Sequence, residues 1–104
     1  MYFLDDPLLF GVVGYPLTHS LSPFLHNRVF KYLNLNAFYG RFETLDIRSA
    51  LAGMRALNIR GFSITVPFKQ TVLSLVDQLD PMAQRAGAIN TLLNKGKRLV
   101  GFNT

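Results

Sequence analysis

The chain has 104 residues, 49% of them hydrophobic, which is enough for one core and is most simply read as one domain. Eleven Lys and Arg against six Asp and Glu give a formal net charge of +5, suiting an anionic partner, while the absence of cysteine excludes a disulfide framework and thiolate metal sites. The basic residues stand singly apart from Lys95-Gly96-Lys97-Arg98, the start lacks a basic leader region, and no apolar stretch is long enough for a bilayer, so the expectation is a cytoplasmic protein with neither nucleic-acid nor membrane partners.

Leu9 to Gly14 is a short apolar run closed by glycine and predicts a buried strand, followed by the polar loop Tyr15 to Leu21. Ser22 as N-cap and Pro23 at the first helical position open a helix whose apolar stripe is Phe24, Leu25, Val29, Phe30 and Leu33. Ala37 to Glu43 is aromatic-rich and strand-like, and Thr44 then caps a helix with Ile47, Leu51, Met54 and Leu57 at helical spacing. Phe62 to Val66 predicts a third strand, Thr71 to Val76 a helix, Asp77 to Asp80 a break, and Pro81 to Ala86 another short helix. Ala88 to Leu93 and Arg98 to Phe102 read as a hairpin closed by Asn94 to Lys97. Strands alternating with helices before a hairpin predict an α/β fold: a three-layer sandwich with a mixed, mainly parallel sheet and helices on both faces.

In such sheets ligands sit beyond the carboxyl ends of the strands, which directs attention to the loops after the first and third. Ser20 and Ser22 are two apart, beside the amides that open a helix, and their hydroxyls suit a carboxylate or phosphate; Ser22 as a simple cap and Ser20 as a turn residue are the structural alternatives. Ser63 and Thr65 bring further hydroxyls to the end of the third strand. Lys69 falls in the expected first turn of a helix, where the dipole opposes a positive charge, and is a candidate proton donor and acceptor or else an exposed lysine without a role. Asn90, inside an apolar run, needs hydrogen bonds from a ligand hydroxyl or from a neighbouring loop's backbone. His19 and His26 lack metal-like spacing and read as structural or supporting groups, so no metal site is expected.

With these residues in place, the chain resembles the amino-terminal substrate-binding domain of the shikimate dehydrogenase family. Gly14-x-Pro16-x-x-His19-Ser20-x-Ser22-Pro23-x-x-His26-Asn27 is similar to the family's serine loop and Thr65-Val66-Pro67-Phe68-Lys69 to its lysine motif. Gly87-Ala88-Ile89-Asn90-Thr91 and Gly101-Phe102-Asn103-Thr104 are similar to its two later signatures. The resemblance implies an oxidoreductase that reduces 3-dehydroshikimate to shikimate with NADPH, releasing NADP, in which Ser20 and Ser22 hold the substrate carboxylate, Thr65 and Asn90 bind ring hydroxyls or the lysine, and Lys69 is the acid/base. It also implies that residues 1–104 are the substrate-binding half, that a separate domain binds NADP, and that the aspartate partnering the lysine would follow Thr104. No G-x-G-x-x-G stretch occurs here, so the chain by itself is expected to be inactive. At Ser63 the family usually has asparagine, which leaves quinate as an alternative substrate beside shikimate. A stand-alone module that binds a small cyclic acid without turnover is the alternative of another class, and a homodimer is among the open assemblies.

Overall fold

The computed structural model describes residues 7–18 and 21–104. In chain order the elements are β1 (Leu8–Gly14), α1 (Ser22–Tyr32), β2 (Ala37–Glu43), α2 (Ile47–Ala56), β3 (Gly61–Ile64), a 3-10 turn (Thr71–Ser74), β4 (Gln78–Leu79), α3 (Pro81–Ala86), β5 (Thr91–Lys95) and β6 (Arg98–Phe102). The six strands form one sheet in the order β2-β1-β3-β5-β6-β4. β1 runs parallel to β2 and β3, β5 is antiparallel to β3 and β6, and β4 is parallel to β6. The sheet is therefore mixed, as the pattern of elements predicts.

Successive residues of β1 face opposite sides, and two apolar clusters follow from that alternation. Val13 joins Ile47, Leu51 and Met54 of α2, Phe62 and Ile64 of β3, Val72 of the 3-10 turn, Ala83 of α3 and Leu92 of β5 in the main core. Val12 lies on the other face in a small cluster with Leu17 and Tyr39, against which Phe10 and Phe30 pack. Helices thus flank both faces, but unequally. α1 has no buried residue, and Phe24, Leu25, Val29 and Leu33 of the anticipated stripe are all exposed. Only Phe30 of that stripe reaches the sheet, its ring 5.8 Å from that of Phe10.

What fastens α1 is polar. Asn27 Nδ2 donates to the Tyr39 carbonyl and Asn27 Oδ1 accepts from the Tyr39 N–H, both at 2.8 Å. One side-chain amide thereby satisfies the backbone of an edge strand, and the His26 ring stacks on the Tyr39 ring with centroids 4.2 Å apart and planes 11° from parallel.

Local chemistry differs from the sequence expectations at several points. Ser22 is the first residue inside α1; Leu21 occupies the N-cap and offers no side-chain bond. Asp46, not Thr44, caps α2 by accepting from Ser49 N–H at 3.1 Å, while Thr44 Oγ1 accepts from Asp46 N–H. Thr71–Ser74 is a single 3-10 turn, and the break expected at Asp77 to Asp80 contains the two-residue strand β4. Leu73, Leu75 and Val76 lie against the core together with Val72, so an apolar run there marks burial without a helical period. β3 ends at Ile64 and β5 starts at Thr91, which places Thr65 and Asn90 in loops. Gly96 and Lys97 both have positive φ, as a two-residue turn that matches the strand twist requires.

Asp77 joins three parts of the chain. Its Oδ2 accepts from Leu99 N–H at 2.7 Å and from Arg55 Nη2 at 3.1 Å, and Arg55 also donates to the Lys97 carbonyl. The Leu99 amide first, and then the guanidinium, hold the Asp77 carboxyl below the usual carboxylate range; the Ser49 bonds lower Asp46 likewise. A lowered folded-state pKa means stability present above the unfolded value, about 3.9, and lost as pH falls through the folded value. Acid titration followed by circular dichroism should therefore show stability falling below about pH 4, and Asp77→Asn should flatten that fall. An unchanged acid limb in Asp77→Asn would remove Asp77 from the account.

Candidate functional site

The loops after β1 and β3 are joined directly. Tyr15 N–H donates to the Val66 carbonyl at 2.9 Å and Thr65 N–H to the Val13 carbonyl at 3.1 Å. Gly14 makes this approach feasible: a Cβ there would lie 2.6 Å from the Val66 carbonyl oxygen and would overlap the Thr65 methyl. On the outer side Glu43 Oε2 accepts from Leu17 N–H at 2.8 Å and holds the first loop against β2.

Between the loops opens a cleft of about 390 Å³ lined by Val12, Pro16, Leu17, Thr18, Ser22, Ser63 and Thr65. Ser22 comes from the start of α1, Ser63 from β3, and Thr65 from the loop beyond it, so three of the sequence-predicted residues share one space. Ser20 lies outside the described residues, as does His19. The lining contains no carboxylate, and the first turn of α1 has no acidic residue. With no side-chain cap at Leu21, no side chain among the described residues caps the opening amides of α1, which would face an anion at the positive end of the helix dipole. Hydroxyl donors beside uncapped amides suit a carboxylate.

Neither Lys69 nor Asn90 lines this cleft. Lys69 is exposed and borders a separate depression with Val66, Pro67, Gln70 and Ala88. Its ammonium meets no carboxylate among the described residues. It lies in a turn that leads into the 3-10 turn, so the helix dipole expected to act on it is not there. Backbone bonds from Ile89 N–H to the Lys69 carbonyl and from Ile64 N–H to the Asn90 carbonyl tie the two segments together. The Asn90 amide is turned to the chain's own backbone: Nδ2 donates to the Thr104 carbonyl at 3.0 Å, and Oδ1 accepts from Thr104 N–H at 3.1 Å and from Thr91 Oγ1 at 2.9 Å. Of the two roles open for Asn90, pairing with a neighbouring loop's backbone is the one this geometry displays.

The model of the family described as shikimate dehydrogenase substrate binding domain matches residues 12–92. The chain belongs to this family. It is 44% identical over 98 residues to the shikimate dehydrogenase (NADP(+)) of Bacillus cereus strain G9842, covering 92% of this chain and 35% of that protein. Its counterpart in Geobacillus sp. strain WCH70 is 45% identical with the same coverage. The chain thus spans about a third of the length of these curated relatives. Among solved structures, shikimate dehydrogenase from Aquifex aeolicus superposes with a TM-score of 0.89 at 37% identity, covering 93% of this chain and 37% of that one. The Thermus thermophilus enzyme, solved in complex with NADP(H) and shikimate, gives a TM-score of 0.87 at 39% identity, covering 92% and 37%. A 5-ketofructose reductase of Gluconobacter sp. strain CHM43 superposes at 0.92 with only 24% identity, over 95% of this chain and 36% of that one, which shows a shared fold.

Against this family background, the part played by Tyr39 and Asn27 is what residue-by-residue reading missed, whereas His26, expected as a structural or supporting group, packs as one on Tyr39. His26 and Asn27 sit in the serine-loop motif, but nothing in their spacing says that both engage a tyrosine 12 and 13 positions on. Among the described residues no helix is long and apolar enough to cross a membrane, and no group of His, Cys, Asp and Glu is arranged to hold a metal ion.

Proposed function

We propose that this chain is the substrate-binding half of an NADP-dependent shikimate dehydrogenase, acting in the cytoplasm on 3-dehydroshikimate and shikimate. The observation that carries the reading is the carboxylate-free cleft in which Ser22, Ser63 and Thr65 converge beside the uncapped start of α1. Ser22 and the α1 amides would take the substrate carboxylate, with Ser20 on the same loop; Ser63 and Thr65 would meet ring oxygens. Lys69 follows Thr65 by four residues and would exchange a proton with the oxygen at the reacting carbon.

The turn at Gly14, which leads from β1 toward α1, does not fit a dinucleotide. Such a cradle needs glycines that admit a pyrophosphate to a helix start, whereas the space a Gly14 side chain would take is filled by Thr65 and Val66. Hydride transfer is therefore outside what these side chains supply, and their task is to grip, orient and protonate.

Titration of the 104-residue chain with shikimate, followed by NMR, should shift resonances of Ser22, Ser63 and Thr65 first. Ser22→Ala should weaken binding by roughly tenfold, the effect of one hydrogen bond to a charged group. Equal affinity in that variant would refute the carboxylate assignment, and tighter binding of quinate than of shikimate would move the substrate to the quinate side.

A further inference from the structure

Tyr39 is 4% exposed, and its hydroxyl donates to Ser63 Oγ at 2.6 Å. The contact spans the sheet from β2 to β3 across the intervening β1, where Val12 is in register with Ser63 and forms the cleft floor. A serine hydroxyl has one hydrogen, and here its oxygen is already accepting one from the phenol. Ser63 makes no other side-chain hydrogen bond among the described residues, so its own hydrogen is left for the cleft. Burial pushes the Tyr39 phenol above its ordinary pKa, partly offset by the Ser63 bond, so it keeps its proton at physiological pH.

The same tyrosine is where α1 is fastened. Its backbone holds Asn27, its ring carries His26, and His26 Nδ1 lies 2.9 Å from the Ser22 carbonyl at the start of the helix. Both sides of the cleft, Ser63 on β3 and Ser22 on α1, are thus tied to one residue.

We propose that Tyr39 is a positioning residue of this site: it aims Ser63 as a hydrogen donor at an accepting oxygen of the bound acid and sets the start of α1, with Ser22, opposite it. This rests on the reading of the cleft as a carboxylic-acid site. Ser63 then selects for a ligand oxygen that accepts, and the Tyr39 hydroxyl contributes to binding only through Ser63.

The test is a double-variant cycle on the 104-residue chain with shikimate as probe. Tyr39→Phe keeps the ring, the His26 stack and the Asn27 bonds, and removes only the donor. It should weaken binding about five- to tenfold, Ser63→Ala by a similar factor, and the double variant no more than Ser63→Ala alone. Ser63→Thr, which keeps the hydroxyl, should retain most of the affinity. Additive losses, or a Tyr39→Phe chain that melts earlier yet binds shikimate as well as the parent, would overturn the positioning role. If Ser22→Ala still weakens binding while those outcomes hold, the carboxylate reading survives without it. A parent chain that does not bind shikimate, or that binds it equally after Ser22→Ala, overturns both.

Discussion

In the proposed full-length dehydrogenase, Lys69→Ala is expected to lower turnover of 3-dehydroshikimate by roughly 100- to 10,000-fold, the range of a positioned proton-transfer group, while changing KM far less. The asymmetry follows from the geometry. Lys69 does not line the cleft of Ser22, Ser63 and Thr65 but borders the separate depression with Val66, Pro67 and Gln70, so it adds little to ground-state grip. Its ammonium has no carboxylate partner among the described residues, which leaves it available to a substrate oxygen. The measurement is steady-state kinetics with a parallel binding titration. Turnover within a few-fold of the parent would remove Lys69 from the chemistry, and a large rise in KM at constant turnover would recast it as a binding residue.

The second large effect is expected at Gly14. A methyl group there meets the Val66 carbonyl oxygen and the Thr65 methyl, and backbone cannot be moved as easily as the end of a flexible side chain. Gly14→Ala should therefore separate the two loops, break the Tyr15-to-Val66 bond, and destabilise the chain by about 1–3 kcal/mol, as overpacking does. Binding of shikimate should fall well beyond what the lost stability explains, because Thr65 moves away from Ser22. Thermal unfolding and the NMR titration check the two parts separately. A variant that melts and binds like the parent would show that the loops tolerate separation and that the glycine is not what assembles the cleft.

The elements most legible in sequence are those whose pattern is local. Ala37 to Glu43 has the same bounds as a sequence pattern and as a strand, and α2 shows its core face as Ile47, Leu51 and Met54 at helical spacing. Thr71 to Val76 misleads because its apolar residues pack against the core from a 3-10 turn, a geometry that leaves no period to read. α1 carries an apolar stripe in sequence yet is held by Asn27 and His26, since a helix that lies over the edge of a sheet can be tied by a few polar contacts. For the proposed site, the family's motifs point to Ser22 and Thr65 and the residue type at the end of the third strand adds Ser63, and the fold brings the three into one cleft. Tyr39 carries no such signal because its partners lie 12 to 24 residues away and meet only after β2, β1 and β3 align.

The thin attachment of α1 divides the cleft into two mechanical halves. Ser63 and Thr65 extend from a strand packed among Phe62, Ile64 and Leu92, whose opening requires loss of the main core. Ser22 rides on a helix without a buried residue, so fewer apolar contacts in this chain resist the opening of its backbone amides. A ligand gripping both halves does more than fill a pocket: it cross-links a pliant helix to a stiff sheet. In the proposed site, part of the interaction energy would go into ordering α1, so affinity would depend on that cost as well as on the hydrogen bonds the acid makes.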